Sequence, residues 1–346
     1  GEVARRLGRL VCLTARRIFC RTIFVKPIFQ RNDIYFADMR YSLRQIGVFV
    51  AVARHESVSR AAADLSLSQS ATSMALAEFE RQYDTQLFDR FGKTLRLNEL
   101  GQTLLPQAIE LIERAVAIES MLEGRAGYGK LTIGATLTIG NYLATLIVAD
   151  FLKRHPESTL HLTVHNTMTI TEQLARHELD LGLIEGSCHH PELVVEPWVE
   201  DELVVFAAPG HALAGKRSAT LAELAEESWI VRETGSGTRE TLDRALRHHH
   251  WPLKVRLELE HTEAVKRAVE FGLGIGCISR LALREAFRRG SLVAIETPEL
   301  DLRRHFHFVW HRRKFQTAGM REFVGLCRAM TAGIARSDQI EWSFIP

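Results

Sequence analysis

The chain has 346 residues, 46% hydrophobic and 25% charged, the composition of a globular protein of two or three domains; this excludes a disordered, collagen-like or multi-span membrane protein. Its 44 Lys and Arg against 42 Asp and Glu leave a net charge of +2, so nucleic-acid binding has to rest on a local motif and not on global basicity. The five cysteines (Cys12, Cys20, Cys188, Cys277 and Cys327) are widely spaced and form no C-x-x-C, which argues against a zinc ribbon or a disulfide framework and for a reducing, cytoplasmic setting without a membrane span.

Residues 1–38 carry eight Lys or Arg and three Asp or Glu, with poor periodicity and no unbroken signal-peptide core. They are expected to be a poorly ordered extension ahead of a native start at Met39, with an Arg-rich transit peptide as the alternative. Organised sequence begins after Met39. Leu43, Ile46, Phe49, Val50 and Ala53 fall at helical spacings and predict one buried stripe. A short helix from Val58 to Leu65 follows, with Ser57 as its N-cap, and Ala61, Ala62 and Ala63 allow close helix approach. After a turn at Ser66-Leu67, Ser68 caps a third helix to about Tyr83. Gln69, Ser70, Thr72 and Ser73 crowd its first turns, while Ala71, Met74 and Leu76 are expected to face inward. Small hydroxyls and an amide at a helix N-terminus suit base edges and phosphates in a major groove. The run Leu87–Leu97 reads as two short strands around a Gly92-Lys93 turn, a wing. Arg90, Lys93 and Arg96 would meet the DNA backbone there. The span 39–98 is therefore expected to be a winged helix-turn-helix, a three-helix domain with ordinary Ser caps being the bland alternative.

Leu104, Ala108, Leu111, Ala115, Ile118 and Leu122 then repeat at spacings of four and three, a seam of about three heptads. A helix this long with one apolar seam needs a partner. Packing on its own chain is one option, and a homodimer linker over 99–128 is preferred, ending in a Gly-rich hinge.

The stretch Ala61-Ala62-Ala63-Asp64-Leu65, Ser68-Gln69-Ser70-Ala71-Thr72-Ser73, Leu87-Phe88-Asp89-Arg90 and Asn98-Glu99-Leu100-Gly101 resembles the winged helix-turn-helix of LysR-type transcriptional regulators. The resemblance runs from Met39 to about Met330 and is nearest the YeiE-like subgroup. Thr138 to Tyr142, Ile184 to Gly186, Glu196 to Trp198, Asp201 to Pro209 and Gly235 to Glu240 carry it in the C-terminal half. The family often has Gly where Asp84 stands and commonly Thr where Asn98 stands; both substitutes tolerate the same turn and cap geometry. The resemblance implies a transcription regulator that binds double-stranded DNA at an inverted repeat as a dimer or tetramer, with RNA polymerase as a further candidate partner.

Beyond the hinge, strands at Leu131–Ile133, Thr159–Val164 and Leu181–Ile184 alternate with helices at Asn141–Arg154 and Ile170–His177, the pattern of a parallel sheet. A second set starts at strand Leu203–Ala207. It continues through strand Trp229–Val231, helix Thr238–Arg247, strand Val255–Leu259, helix Glu263–Phe271 and strand Ile275–Ile278. Strand Phe306–Trp310 crosses back and helix Gly319–Met330 closes the first lobe. The expected whole is α+β and α/β: a winged helix-turn-helix, a long linker helix, and a two-lobed effector domain over 129–330. Its second lobe spans about 199–295, and a tail follows over 331–346. The family resemblance implies a periplasmic-binding-protein-like fold for those lobes.

Ligands of such sheets sit beyond strand C-termini, near helix N-termini. Two places qualify, Thr136 with Thr138 after the first strand, and Gly235, Ser236, Gly237 and Thr238 before a helix in the opposite lobe. Together they would hold a small anionic effector, though ordinary capping explains each singly. Arg239 could pair with the anion or face solvent. No cofactor is expected, and no catalytic group. Cys188-His189-His190, His248-His249-His250 and His305/His307/His311 lack the spacing of a metal set. Thr234 breaks the G-x-S-x-G nucleophile motif at Ser236, and Gly272–Gly276 follows a helix where a dinucleotide loop follows a strand. Cys188 and Cys277 are expected to be structural thiols. The alternatives to a regulator are an α/β enzyme with a helical appendage and a small-molecule-binding protein without specific DNA binding.

Overall fold

The computed structural model describes residues 39–91, 94–122, 128–247 and 253–340. The 1–38 extension, the Gly92-Lys93 turn, most of the Gly-rich hinge, His248 to His250 and the end of the tail lie outside the described residues.

Three helices and a two-stranded wing form the first domain. Ser42 caps α1 (Leu43–His55) through a reciprocal pair with Gln45, a capping box. Ser57 caps α2 (Val58–Asp64), where the absence of bulk at Ala61 and Ala62 lets both side chains sit buried in the domain core. Ser68 caps α3 (Gln69–Gln82), accepting from the Ala71 N–H at 3.1 Å. Asp84 adopts φ 48°, a left-handed conformation that Asp tolerates better than most residues. The chain then enters the antiparallel strands β1 (Phe88–Phe91) and β2 (Thr94–Leu97). Asn98 ties the wing to the linker helix: its side chain donates to the Gln86 carbonyl and accepts from the Gly101 N–H. Gly101 has no room for a side chain, since a Cβ there would lie 2.2 Å from the Leu87 oxygen.

The linker helix α4 (Glu99–Leu122) divides its seam between two duties. Leu104, Ala108 and Leu111 complete the core beneath Phe49 and Phe79. Ile118 and Leu122 remain 57% and 81% exposed.

Two lobes follow, built on one sheet of nine strands, β3 (Lys130–Thr136), β4 (Thr159–His165), β5 (Leu181–Glu185), β6 (Leu193–Ala207), β7 (Ser228–Arg232), β8 (Lys254–Leu259), β9 (Ile275–Ser279), β10 (Val293–Ile295) and β11 (Arg303–His311), in the order β4-β3-β5-β11-β6-β9-β7-β8 with β10 on β6. In the first, β3 (Lys130–Thr136) runs parallel to β4 (Thr159–His165) and β5 (Leu181–Glu185). The helix between β3 and β4, α5, opens as Leu137–Ile139, passes through a π-helical turn at Gly140–Ala144 and continues as Thr145–Arg154. Asn166 caps α6 (Thr167–Ala175), which starts earlier than the expected Ile170 because the cap lies at the end of β4. In the second lobe, β7 (Ser228–Arg232) is parallel to β8 (Lys254–Leu259) and β9 (Ile275–Ser279). Helices α8 (Gly237–Arg247), α9 (Thr262–Glu270) and α10 (Arg280–Arg289) cover it.

Both crossovers are strands. β6 (Leu193–Ala207) pairs with β11 (Arg303–His311) from Leu193 to Glu202, then with β9 from Leu203 onward. The expected strand thus begins at Leu193, not Leu203. Its first half was hidden by Pro197, which lacks an N–H; the register shifts beside it, so that Trp198 faces no partner in the ladder. The six-residue helix α7 (Leu221–Glu226), α10 and the short strand β10 (Val293–Ile295) also escaped prediction, two being too short for a period and α10 too charged. The closing helix (Ala318–Met330) packs Phe323 edge-on against Phe151 of α5, with ring centroids 5.7 Å apart.

Candidate functional site

The start of α3 presents Ser68, Gln69, Ser70 and Ser73 to solvent. The Ser68 and Ser70 hydroxyls lie 3.0 Å apart, and Gln69 and Ser73 have no side-chain partner among the described residues. Thr72 departs from expectation. It is fully buried, and its hydroxyl donates to the Ser68 carbonyl at 3.0 Å, so it is not presented to a groove. Met74, expected inside, is 72% exposed. Thr72, Leu76 and Phe79 form the inward face, a four-three spacing that the sequence does contain. On the wing, Arg90 and Arg96 are exposed and face no carboxylate among the described residues; the Arg96 guanidinium sits 5.8 Å from the Phe91 ring centroid. Lys93 lies outside the described residues.

Between the lobes, Thr136 ends β3 and Thr138 occupies the first turn of α5, both buried. The Thr136 hydroxyl reaches the Leu183 carbonyl at 3.5 Å. One turn on, Tyr142 projects from the π turn across the cleft. Its hydroxyl donates to Glu263 of α9, and the buried Lys266 ammonium pairs with Glu263 at 2.8 Å and lies 5.9 Å from the Tyr142 ring centroid. Burial, with the adjacent Glu263 carboxylate, holds the Tyr142 phenol far above its usual pKa.

Facing this edge is the start of α8. Gly235 takes φ +91°, a backbone conformation that a side chain would strain. Ser236 is 2% exposed and its hydroxyl has no hydrogen-bond partner among the described residues, although it lines a pocket of about 310 Å³ with Thr167, Arg239 and Arg247. Thr136 and Thr138 are not part of that pocket's lining. Gly237 proves to be a packing glycine and not an open ligand donor. A Cβ there would lie 1.9 Å from the Glu185 oxygen, and its N–H already donates to the Thr167 hydroxyl at 3.1 Å. Thr238 accepts from Arg304 at 3.1 Å. Arg239 is engaged by Asp243 and Glu258, at 2.9 and 3.0 Å.

Arg304 is the residue that sequence reasoning missed. Its guanidinium is buried and reaches Glu185 at 2.5 Å, Asp201 at 2.7 Å and Thr238. Ser279 and Ser337 donate to the other Asp201 oxygen at 2.7 and 2.5 Å. These groups come from both lobes, so the cluster joins them at the hinge. Its signal was alternation: Arg304 shares the buried face of β11 with Phe306 and Phe308. Nearby, burial pushes the Cys277 thiol up to about 12, which makes it a poor redox nucleophile. Among the described residues no group of three or more His, Cys, Asp or Glu side chains is arranged to hold a metal, and none of the helices is long and apolar enough to cross a membrane.

Two family models match the chain: "LysR substrate binding domain" over residues 125–332, and "Bacterial regulatory helix-turn-helix protein, lysR family" over residues 43–102. Among similar proteins, the uncharacterized HTH-type transcriptional regulator YeiE of Escherichia coli K12 is 41% identical, over 84% of this chain and 98% of that protein. The RuBisCO operon transcriptional regulator of Allochromatium vinosum is 36% identical, over 83% and 96%. Among solved structures, the regulatory domain of Synechocystis CcmR in complex with 2-PG covers 60% of this chain and 99% of that one, at 28% identity and TM-score 0.56. Full-length OxyR from Pseudomonas aeruginosa, at 19% identity and TM-score 0.66 over 84% of this chain and 95% of that one, shares the fold.

Proposed function

Because the chain belongs to the LysR family of transcriptional regulators, with a helix-turn-helix domain and an effector-binding domain, we propose that its effector is a small anion held where the two lobes meet. The observation that carries this is the Ser236 hydroxyl: buried, unpartnered and on a pocket wall at the electropositive end of α8. A buried hydroxyl without a partner costs free energy that a ligand oxygen would recover. Ser236 and the Gly235 backbone would meet the anion, Thr136 and Thr138 would close on it from the first lobe, and Thr238 would hold α8 in place through Arg304. The similarity to the CcmR domain, bound to 2-PG, supports a small ligand of this kind.

On the DNA side, Ser68, Gln69, Ser70 and Ser73 would read the major groove, with Arg90, Lys93 and Arg96 on flanking phosphates. The exposed end of the α4 seam supports self-association, which would set two heads on an inverted repeat, in contact with RNA polymerase in the cytoplasm. No catalytic step is assigned.

Fluorescence anisotropy of the full chain on its own upstream intergenic DNA tests both halves. Sequence-selective, salt-sensitive binding that shifts with sulfate, phosphate or 2-PG is the expected result. Ser236→Ala should abolish the shift and spare DNA binding. A shift that survives Ser236→Ala would overturn the effector assignment, and no selectivity over scrambled DNA would overturn the assignment of the recognition helix.

A further inference from the structure

We propose that the cleft between the helix-turn-helix domain and the first lobe is a second small-molecule site, built for an organic anion with an apolar body. The cleft encloses about 600 Å³, a volume suited to a ligand larger than an inorganic ion. Most of the lining is polar, but one wall presents an apolar strip, Val50 and Ala53 of α1 with Leu105 and Ile109 of α4. The rim is cationic. Arg54 lies in the last turn of α1, Arg60 in the first turn of α2 and Arg176 caps the end of α6, so three arginines from three elements and two domains line one opening.

None of the three has a carboxylate partner among the described residues, whereas Arg239, Arg304 and Arg336 elsewhere are each paired. Glu56 and Glu178 also line the cleft, leaving guanidinium groups in excess by three to two. His177 adds no charge: burial, and then the positive charges of His311, Lys314, Arg313 and Arg54, push its imidazole down to about 3. The walls are held in register by a buried ion cluster beside the cleft, where Lys314 joins Glu113 of α4 to Asp180 of the first lobe.

An apolar wall and a charged rim bind one chemical class well: a hydrophobic skeleton carrying a sulfonate, carboxylate or phosphate. No residue of this cleft lines the pocket at Ser236, so the two sites are distinct. An occupant would touch the DNA-binding head and the effector domain together. Its binding is thereby coupled to any change in their relative placement.

Anilinonaphthalene sulfonate, a fused aromatic skeleton with one sulfonate, is the probe. Its fluorescence titration against the full chain should show one saturable site per chain. Arg54→Gln with Arg176→Gln should raise its Kd at least about tenfold, two charge-assisted contacts being lost. Ser236→Ala should leave the Kd unchanged. A Kd unaltered in the double variant, or one that moves with Ser236→Ala, would overturn the proposal. Photo-incorporation of the bis form into the unmutated chain gives an arm independent of variant folding. Label in peptides spanning 50–60 and 175–178 is expected, and label confined to other peptides would overturn the site.

Discussion

Lys314 and Glu113 form an ion pair sealed at the junction of the linker helix and the effector domain, with the lysine side chain only 5% exposed. Asp180 lies 2.6 Å from the same ammonium, so two carboxylates share one cation. Burial alone would depress the Lys314 pKa; the charges of Asp180 and Glu113 outweigh it and leave it raised. Burial also keeps Glu113 above the usual carboxylate range, with Lys314 pulling the other way.

Removing the shared cation strands two half-buried carboxylates. Lys314→Met should destabilise the chain by about 3 kcal/mol at neutral pH. The deficit should shrink as pH falls, because Glu113, whose folded pKa burial already raises, takes up a proton and the two carboxylates lose their mutual repulsion. Urea unfolding at neutral and acid pH measures both effects.

His177 gives a second pH dependence of opposite origin. Its folded pKa of about 3 lies below its usual 6.5, so the unfolded chain binds the proton more readily. The stability it contributes is complete above about 6.5 and is lost as pH falls toward about 3. His177→Gln should flatten the fall in urea midpoint across that window. His307 and His311, also depressed by burial, should leave a residual slope.

Two glycines separate packing from chain flexibility. Gly237→Ala would drive a methyl into the Glu185 carbonyl and should cost about 3 kcal/mol. Gly210→Ala meets nothing within 4 Å and should change stability by less than about 0.5 kcal/mol. Thermal or urea unfolding of the pair decides it, and equal losses would contradict the close approach at Gly237.

Thr72 and Gln69, three residues apart, should behave oppositely. Thr72→Val removes a buried hydroxyl bonded to Ser68 and should cost about 1 kcal/mol of stability with DNA discrimination unchanged. Gln69→Ala should leave stability intact and weaken the specific site by about 1–3 kcal/mol relative to scrambled DNA. Anisotropy on both DNAs, with unfolding curves, separates the two roles.

Elements with a clean period were legible in the sequence: α1 through its apolar stripe, α3 through its Ser68 cap, and β7 and β9 through short β-branched runs. The linker helix was legible through its heptads, but not the division of labour along it, because a seam does not say which neighbour covers each part. At α3 the phase was misread by two residues, exchanging Thr72 for Met74; hydroxyls were assigned outward by chemistry where the four-three spacing assigns Thr72 inward. Part of the candidate site was legible: the glycine-flanked helix start singles out Ser236. Gly237 was misassigned because close backbone approach and an open N–H both call for glycine. The Arg304 cluster brings together residues far apart in sequence, and no local pattern announces such a meeting.

The lobes are joined by β6 and β11 side by side, with the Leu203 N–H donating to the Leu302 carbonyl at 3.0 Å where both chains cross. Two hydrogen-bonded strands resist stretching along their length and shearing in their plane, and yield most readily to twist. A ligand that drew the lobes together, as proposed, would therefore turn them about this ribbon. On the proposed effector reading the output of that domain would be an angle, and an angle transmitted along a helix of 24 residues would become a displacement of the DNA-binding head in proportion to that helix's length.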